Sequence, residues 1–381
     1  MQLHIIILTL LVFLLIECNA RTYESVWESL DTRSIPLWYD GAKIGIFVHW
    51  GVYSVPAYGG GKYTNSEWFW YYWKKEKNPE HVKFMKENYL STFSYTEFAH
   101  NFKAELFDPK AWAELFEKSG AKYVVLTSKH HDGYTLWPSM YSFNWNSKHI
   151  GPRKDLVDES RQFKSDMYVL NKMLPEMYEI VKKYLPEILW VDGDWVANNS
   201  YFKATEFLGW LYNDSPVKDT VVVNDRWGTG TRCTHGDFFT CTNKFNPGEL
   251  LPFKWENAIS IDKHSWGYRR VADSTDYYTT TELVVIMVET VSCGGNVLIN
   301  VGPTSDGRIE PIVEERLLEL GRWLSINGEA IYNSIPWKYQ NDTIGETWYT
   351  AGDSAVYAIT LTWPSGNEFQ LGSSAELLKK R

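Results

Sequence analysis

Four clusters of polar residues each follow a short apolar run, and they hold the side chains best suited to chemistry. The clusters are His49-Trp50-Gly51, Lys129-His130-His131-Asp132-Gly133, Asp192-Gly193-Asp194-Trp195 and Asn224-Asp225-Arg226-Trp227. A single histidine after a strand is usually a structural group. Four clusters after successive strands instead indicate one site, because a parallel barrel places its active site at the carboxyl ends of its strands.

Carboxylates in aromatic, histidine-rich surroundings are typical of glycoside hydrolysis. That reaction needs one carboxylate near the anomeric carbon and one acid that protonates the leaving oxygen. Asp192 follows an apolar run and is flanked by Trp190 and Trp195, so it is the predicted nucleophile. The residue types alone do not select its partner. The candidates are Glu67, Asp194, Asp225, Asp237 and Glu256.

A metal or cofactor site is a competing interpretation, because histidine is a common metal ligand. His130 and His131 are neighbours on a predicted extended strand, where successive side chains point to opposite faces, so we do not expect both to reach one ion. Their spacing from His49 matches no zinc motif. The run Gly59-Gly60-Gly61-Lys62 lacks the flanking strand and the Ser or Thr of a phosphate loop. We therefore expect neither a metal nor a cofactor.

Alternating strand and helix patterns would position these clusters. The predicted parallel strands are short β-rich apolar runs at Ile44–His49, Tyr123–Ser128, Ile188–Val191, Val221–Val223 and Asn296–Val301. The predicted helices run from Pro109 to Gly120 with Asp108 as the cap, from Pro175 to Leu185, and from Glu310 to Ile326. This alternation predicts an α/β fold with a parallel sheet, a (β/α) TIM-like barrel over residues 21–334.

The pattern changes at about residue 335. Antiparallel strands are predicted at Glu346–Thr350 and Ala355–Trp363, with the turn residues Gly352-Asp353 between them. Residues 335–381 are therefore predicted to be a truncated β-sandwich, which ends in the basic tail Lys379-Lys380-Arg381.

Composition and the amino terminus limit the possible partners and compartments. The net charge of −9 argues against nucleic acid and anionic membrane surfaces as partners. The apolar run from Ile5 to Ile16 is too short to span a bilayer, and small residues follow it, so residues 1–20 are predicted to be a signal peptide. No later stretch is apolar enough to cross a membrane. We expect a secreted or lysosomal protein.

The cysteines and sequons bear on the same compartment. Removal of the leader leaves Cys233, Cys241 and Cys293, an odd number that cannot form a closed disulfide framework. Cys233 and Cys241 are close enough in sequence to bridge, and free buried thiols are the alternative. Glycosylation sequons are present at Asn198, Asn213 and Asn341.

At these residues the chain resembles the α-L-fucosidases of glycoside hydrolase family 29, in the animal, lysosomal branch. The resemblance covers roughly residues 37 to 363 in family order. The matching stretches are FVHWGVYSVPAY, SEWFWYYW, KYVVLTSKHHDGYTLWPS, LWVDGDW, VVVNDRWG, KWE, SIDKHSWGYRR, GGNVLINVGPTSDG and NGEAIY.

The resemblance implies a retaining hydrolase that removes α-L-fucose from fucosylated glycoproteins or glycolipids without a cofactor. By this resemblance Asp192 is the nucleophile. The residues that it implies for binding the fucose hydroxyls and ring are His49, Glu67, Trp68, His130, His131 and Arg226.

The chain departs from the family pattern in ways that bear on fold and activity. The segment between Lys129 and Ile188 is too short for the strand and helix that the family fits there, so the barrel must close differently or leave strand edges unpaired. Relatives carry acidic residues just after the cysteine at 241, where this chain has Thr242-Asn243. Glu256 is therefore the provisional acid/base, and loss of general acid help would cost about 10²–10⁴-fold in rate.

Two functions are consistent with this sequence. The first is a working α-L-fucosidase with Asp192 and Glu256 as its catalytic pair. The second is a catalytically impaired homologue that binds fucose without efficient turnover. The two differ at the protonation step. The sequence leaves open the preferred linkage and whether the chain forms a homo-oligomer.

Overall fold

The computed structural model describes residues 22–147, 168–364, 366 and 368–373. The predicted signal peptide and the basic tail lie outside the described residues. The helices are α1 (Trp27–Leu30), α2 (Leu37–Ala42), α3 (Pro79–Asn88), α4 (Tyr95–Phe98), α5 (Pro109–Lys118), α6 (Leu174–Tyr184), α7 (Ala204–Asn213), α8 (Thr280–Ser292) and α9 (Pro311–Asn327). The strands are β1 (Ile44–Val48), β2 (Tyr123–Leu126), β3 (Ile188–Leu189), β4 (Val222–Val223), β5 (Glu256–Ser260), β6 (Asn296–Val301), β7 (Ile335–Asn341), β8 (Thr347–Ala351) and β9 (Val356–Thr360).

The strands β1 to β6 form an open (β/α) barrel. Four of them pair in parallel in the order β2-β1-β6-β5, and β3 and β4 form a second parallel pair. Residues 237–239 join the two groups, because the Asp237 amide donates to the Val223 carbonyl at 3.1 Å and the Phe239 amide donates to the Lys254 carbonyl at 2.9 Å. The order around the barrel is therefore β2, β1, β6, β5, residues 237–239, β4 and β3.

Alternating side chains of the strands separate the barrel interior from the layer under the helices. On β1, Ile44, Ile46 and Val48 pack with apolar residues of α5, α8 and α9. Phe47 of the same strand points inward and packs with Tyr123 from β2 and with other interior residues. The sequence of β1 is apolar throughout because both faces of this strand are covered.

The barrel is open between β2 and β3. In the described part of the chain, β2 pairs only with β1, and no strand bridges it to β3. The outward side chains of β2, Val124 and Leu126, are each 48% exposed, whereas the inward Tyr123 and Val125 are buried. This opening lies where the shortened segment follows β2, as predicted from its length.

The helices predicted from capping residues and apolar spacing are confirmed. The Asp108 carboxylate accepts hydrogen bonds from the Lys110 and Ala111 amides at the start of α5. The ranges predicted from 175 and 310 correspond to α6 and α9 within one residue. Strand β5 and the helices α1, α2, α3, α4, α7 and α8 were not predicted.

The carboxyl-terminal residues form a separate antiparallel sheet in the order β7-β8-β9. Two of its strands were predicted, and β7 adds a third. The sheet lies against α8 through β7 and β8. Among the described residues, no helix is both long enough and apolar enough to span a bilayer.

Candidate active site

A cavity of about 250 Å³ opens at the carboxyl ends of β1, β2, β3 and β4. It is lined by Phe47, His49, Glu67, Trp68, His130, His131, Trp190, Asp192, Trp195, Arg226, Arg232, Asn243 and Trp266. The structure therefore brings together the predicted nucleophile and all six residues predicted to bind the sugar. The remaining predicted residue, Glu256, is not among the lining residues.

The side chain of His49 is held in one tautomer. Asn300 on β6 donates through Nδ2 to the Ser260 hydroxyl at 2.8 Å and to the Trp266 carbonyl at 2.7 Å, which leaves its Oδ1 as an acceptor. His49 Nδ1 lies 2.6 Å from that Oδ1 and must therefore donate. The second nitrogen, Nε2, is then an acceptor for a sugar hydroxyl. Burial lowers the pKa of His49 to about 4, so the ring is neutral near neutral pH.

His130 and His131 both line the cavity, contrary to the argument from strand alternation. The two residues follow the end of β2 at Leu126, so the alternation of an extended strand does not apply to them. Their rings lie 4.5 Å apart, and Trp68 lies 4.2 Å from the His131 ring. Nδ1 of His130 is buried without a hydrogen-bond partner among the described residues. Burial, together with the neighbouring imidazoles, lowers the pKa of His130 well below its ordinary value.

Asp192 is oriented by Arg226. Arg226 Nη1 donates to Asp192 Oδ1 at 3.0 Å, and the guanidinium carbon lies 4.7 Å from the centroid of the Trp190 ring. The Arg226 side chain is 2% exposed, whereas that of Asp192 is 35% exposed. A nearly buried cation thus fixes a carboxylate that remains accessible from the cavity.

Glu67 presents a carboxylate that other groups already hold. Its Oε2 accepts from the Ser265 hydroxyl at 2.8 Å and from the Gly267 amide at 3.0 Å, and its Oε1 accepts from Asn65 Nδ2 at 2.8 Å. Burial raises the pKa of Glu67, and these donors oppose that effect. The arrangement suits a rigid acceptor for sugar hydroxyls.

Glu256 does not line the cavity, which counts against its expected role as the acid. It is the first residue of β5, whereas the cavity is at the carboxyl ends of the strands. Its Oε2 accepts from the Tyr39 and Tyr123 hydroxyls at 2.7 and 3.0 Å, and its Oε1 accepts from Trp190 Nε1 at 3.0 Å. It is fully buried, and burial raises its pKa. No oxygen of this carboxyl is directed at the cavity.

The other candidate carboxylates have structural partners. Asp194 receives two hydrogen bonds from Arg232, at 2.7 and 2.6 Å. Asp237 accepts from Arg33 at 2.9 Å and from the Tyr212 hydroxyl at 3.2 Å. Asp225 is fully buried beside the disulfide between Cys233 and Cys241, and it accepts from backbone amides of that loop. None of these three lines the cavity.

Sequence reasoning did not assign the other lining residues to the site. They are Phe47, Trp190, Trp195, Arg232, Asn243 and Trp266. The sequence did show that Trp190 and Trp195 flank the predicted nucleophile, and that Asn243 departs from the family pattern. Nothing local indicated Arg232 or Trp266, which reach the cavity from distant parts of the chain.

The structure also locates the predicted modifications. Asn198 and Asn341 are exposed. Asn213 is half-buried, and its amide both accepts from the Tyr23 amide and donates to the Tyr23 carbonyl at 2.8 Å. Cys233 is joined to Cys241, and Cys293 is buried as a free thiol.

Known proteins resemble this chain in sequence and in fold. The α-L-fucosidase family profile matches residues 11–165 and 158–329, and the profile of the α-L-fucosidase C-terminal domain matches residues 340–381. Human plasma α-L-fucosidase is 50% identical to the chain, over 94% of the chain and 83% of that protein. Human tissue α-L-fucosidase is 48% identical, over 93% of the chain and 81% of that protein. The chain belongs to the α-L-fucosidase family.

A solved structure agrees with the family assignment. The crystal structure of Thermotoga maritima α-fucosidase superposes with a TM-score of 0.78 at 32% sequence identity, covering 90% of this chain and 87% of that one. A crystal structure of that enzyme in complex with fucose superposes with a TM-score of 0.77 at 33% identity.

Proposed function

We propose that the chain is a retaining glycosidase that removes α-L-fucose from fucosylated glycoproteins or glycolipids. The observation that carries the proposal is the position of Asp192, which lies in the cavity and is held by Arg226 at 3.0 Å. Family membership supports the same reaction. The cavity suits one monosaccharide with its leaving group directed outward.

In this proposal Asp192 attacks the anomeric carbon, and the lining residues bind the sugar. His49 accepts a hydroxyl hydrogen through Nε2, and the Glu67 carboxylate is a second acceptor. Trp68 gives a flat apolar face, and His130, His131 and Arg226 complete the polar wall. The glycosidic C–O bond breaks as a covalent fucosyl-enzyme intermediate forms, and the leaving oxygen takes up a proton. Water then attacks the anomeric carbon, loses a proton and releases fucose with its anomeric configuration retained.

The proton donor is a separate question from the nucleophile. Glu256 remains the residue predicted from sequence, but its two oxygens already accept from Tyr39, Tyr123 and Trp190. We propose that Glu256 instead holds the Trp190 indole in place beneath Arg226. Glu256→Gln should then reduce cleavage of aryl and natural fucosides by similar factors, whereas loss of a proton donor would affect the natural glycoside far more.

The nucleophile is tested by its removal and chemical replacement. Asp192→Gly should lower kcat/KM for 4-nitrophenyl α-L-fucoside by about 10³-fold or more. Added azide should restore release of the aryl group and yield β-L-fucosyl azide, because a small anion can occupy the vacated space. The matched control is Asp194→Gly, two residues along the chain, and azide should not rescue it.

The substrates distinguish the two functions. Cleavage of the aryl fucoside and of a fucosylated oligosaccharide supports the enzyme. Fucose binding without cleavage of either substrate supports the impaired homologue. Asn243 in the cavity lining agrees with that outcome, because an amide cannot act as a general acid. Full activity of Asp192→Gly without azide would overturn the proposed mechanism.

We also propose that the chain enters the secretory pathway and acts outside the cell or in lysosomes. The similarity to plasma and tissue α-L-fucosidases supports this location. The Cys233–Cys241 disulfide suits an oxidising compartment. The exposed sequons at Asn198 and Asn341 are accessible for glycosylation. The test is secretion of the full-length chain from cultured cells with N-glycans that a glycosidase removes.

A further inference from the structure

A buried hydrogen-bond chain connects the disulfide loop to Asp192, and no step proposed above uses it. Thr240 lies in the loop closed by Cys233 and Cys241 and is fully buried. Its hydroxyl accepts from Arg226 Nε at 2.8 Å and donates to Asp225 Oδ1 at 2.6 Å. One hydroxyl thus links a buried carboxylate to the arginine that orients the nucleophile.

Asp225 fixes the position of Thr240. Its Oδ1 also accepts from the Thr240 amide at 3.0 Å, and its Oδ2 accepts from the Cys233 and Cys241 amides at 2.8 and 3.1 Å. The Asp225 side chain therefore binds both ends of the loop at the disulfide. Because Oδ1 already accepts the Thr240 hydroxyl hydrogen, that hydroxyl presents a lone pair to Arg226.

Arg226 then has a separate partner for each donor group. Nε is held by Thr240 at 2.8 Å, Nη1 by Asp192 at 3.0 Å, and Nη2 by the Asn243 Oδ1 at 2.8 Å. A planar guanidinium bound at three points cannot rotate without breaking a bond. One of the three bonds that hold the Arg226 guanidinium beside Asp192 is thus made to a hydroxyl that does not line the cavity.

We infer that Asp225 and Thr240 are positioning residues, which set the orientation of Arg226 and through it that of Asp192. This inference rests on the proposed function. It adds a polar network to the reaction that extends from the disulfide loop to the nucleophile. Loss of the hydroxyl leaves the Nε–H of a buried cation without an acceptor, so Arg226 has to shift toward other acceptors.

The test compares two substitutions of Thr240 that differ mainly in the hydroxyl. Thr240→Val keeps the shape and removes the hydrogen bond, whereas Thr240→Ser keeps the hydroxyl. We expect Thr240→Val to lower kcat for 4-nitrophenyl α-L-fucoside by about 10- to 100-fold with a smaller change in KM. Thr240→Ser should remain within about threefold of the parent.

Thr231→Val is the control for loss of a buried threonine hydroxyl close to Arg226 that does not bond its guanidinium. Thr231 is also fully buried, but its hydroxyl bonds to backbone groups of Asp225, Trp227 and Gly228 and not to Arg226. This variant should lose thermal stability to a similar extent as Thr240→Val and keep its kcat. The disulfide is verified in each variant by intact mass with and without thiol alkylation.

The outcomes separate this inference from the proposed function. If the parent is active and Thr240→Val and Thr240→Ser have equal kcat, the positioning role is overturned and the proposed function is not. A kcat loss in Thr231→Val as large as that in Thr240→Val also overturns the positioning role, because the effect would then follow from loss of any buried hydroxyl near Arg226 and not from the bond to its Nε. A parent that neither cleaves the fucoside nor binds fucose by calorimetry overturns the proposed function as well.

Discussion

The histidines of the cavity act as neutral hydrogen-bonding groups because burial makes their charged forms costly. Burial lowers the pKa of His49 to about 4 even though its bond to Asn300 favours the charged form. Burial also lowers the pKa of His130 well below its ordinary value. A neutral imidazole can accept a hydroxyl hydrogen, which an imidazolium cannot do. In the proposed reaction, the depressed pKa values keep both rings able to accept hydroxyl hydrogens of the sugar.

Replacing Asn300 with aspartate should reverse this effect at His49. A carboxylate in place of the Oδ1 acceptor at 2.6 Å stabilises the imidazolium and raises the pKa of His49 from about 4. The ring then becomes charged at a higher pH, and its Nε2 changes from acceptor to donor. Asn300→Asp should shift the acid limb of the kcat/KM profile upward by about one pH unit or more.

The control for Asn300→Asp is a second buried asparagine. Asn257 on the neighbouring strand β5 donates to the Thr290 hydroxyl at 3.0 Å and does not line the cavity. Asn257→Asp should lower stability without moving the acid limb. An Asn300→Asp profile that coincides with that of the parent would contradict the role assigned to the His49 tautomer.

At the scale of elements, two connections hold the strands of the incomplete barrel together. Residues 237–239 provide backbone hydrogen bonds between β4 and β5. On the other side, Glu176 on α6 lies under the loop after β2 and accepts from Lys129 Nζ at 2.5 Å. Burial alone would raise the pKa of Glu176, but the Lys129 and Lys172 ammonium groups outweigh it, and the pKa lies below its ordinary value. This ion pair connects β2 to the helix that precedes β3.

The open edge of the barrel gives a prediction based on strand alternation. Leu126 on the outer face of β2 is 48% exposed, whereas Val125 on the inner face is 8% exposed. Leu126→Lys should change the free energy of unfolding by about 0.5 kcal/mol or less, and should reduce aggregation because charge blocks edge-to-edge pairing. Val125→Lys places an unpaired ammonium in the barrel interior and should prevent folding at 37 °C.

Thermal melting and light scattering of the two variants provide the measurement. Comparable loss of melting temperature in both would show that the outer face of β2 is covered in solution. Equal aggregation rates of Leu126→Lys and the parent would show that this edge does not drive association.

At the scale of the whole molecule, buried neutral histidines make stability depend on pH. His81 on α3 is fully buried among Tyr58, Phe69 and Tyr72, and burial lowers its pKa to about 4. The unfolded chain binds a proton at this position near pH 6.5, whereas the folded chain binds it only near pH 4. The stability associated with the neutral ring is therefore complete above about pH 6.5 and is lost as the pH falls toward 4.

Removal of this titration should flatten the acid side of the stability curve. The melting temperature of the parent should fall between pH 7 and pH 4.5, and that of His81→Phe should fall less, by an amount equivalent to about 2 kcal/mol. The control His100→Gln replaces an exposed histidine and should follow the parent. Parallel curves for His81→Phe and the parent would contradict the assignment. His49 and His130 also have lowered pKa values, so they too make the protein less stable as the pH falls, equally in the parent and in both variants.

The sequence determined the strands that lead to the site and most of the side chains at their ends. The run Ile44–Val48 is apolar because both of its faces are buried, and in Tyr123–Leu126 one face fills the barrel interior. Polar residues begin where each run ends. Because the strands pair in parallel, His49, His130 and Asp192 all lie at the same end of the barrel, and the sequence was sufficient to predict this. The shortness of the segment after Lys129 likewise predicted the opening beside β2.

Only the tertiary structure decided which carboxylates face the cavity. Asp192 and Glu256 both adjoin apolar strands, yet one lies at a carboxyl end with an accessible side chain and the other at the amino end of β5. Glu256 is held there by Tyr39, 217 positions away in sequence. Such long-range hydrogen bonds leave no local pattern, because their partners meet only when the barrel closes around them.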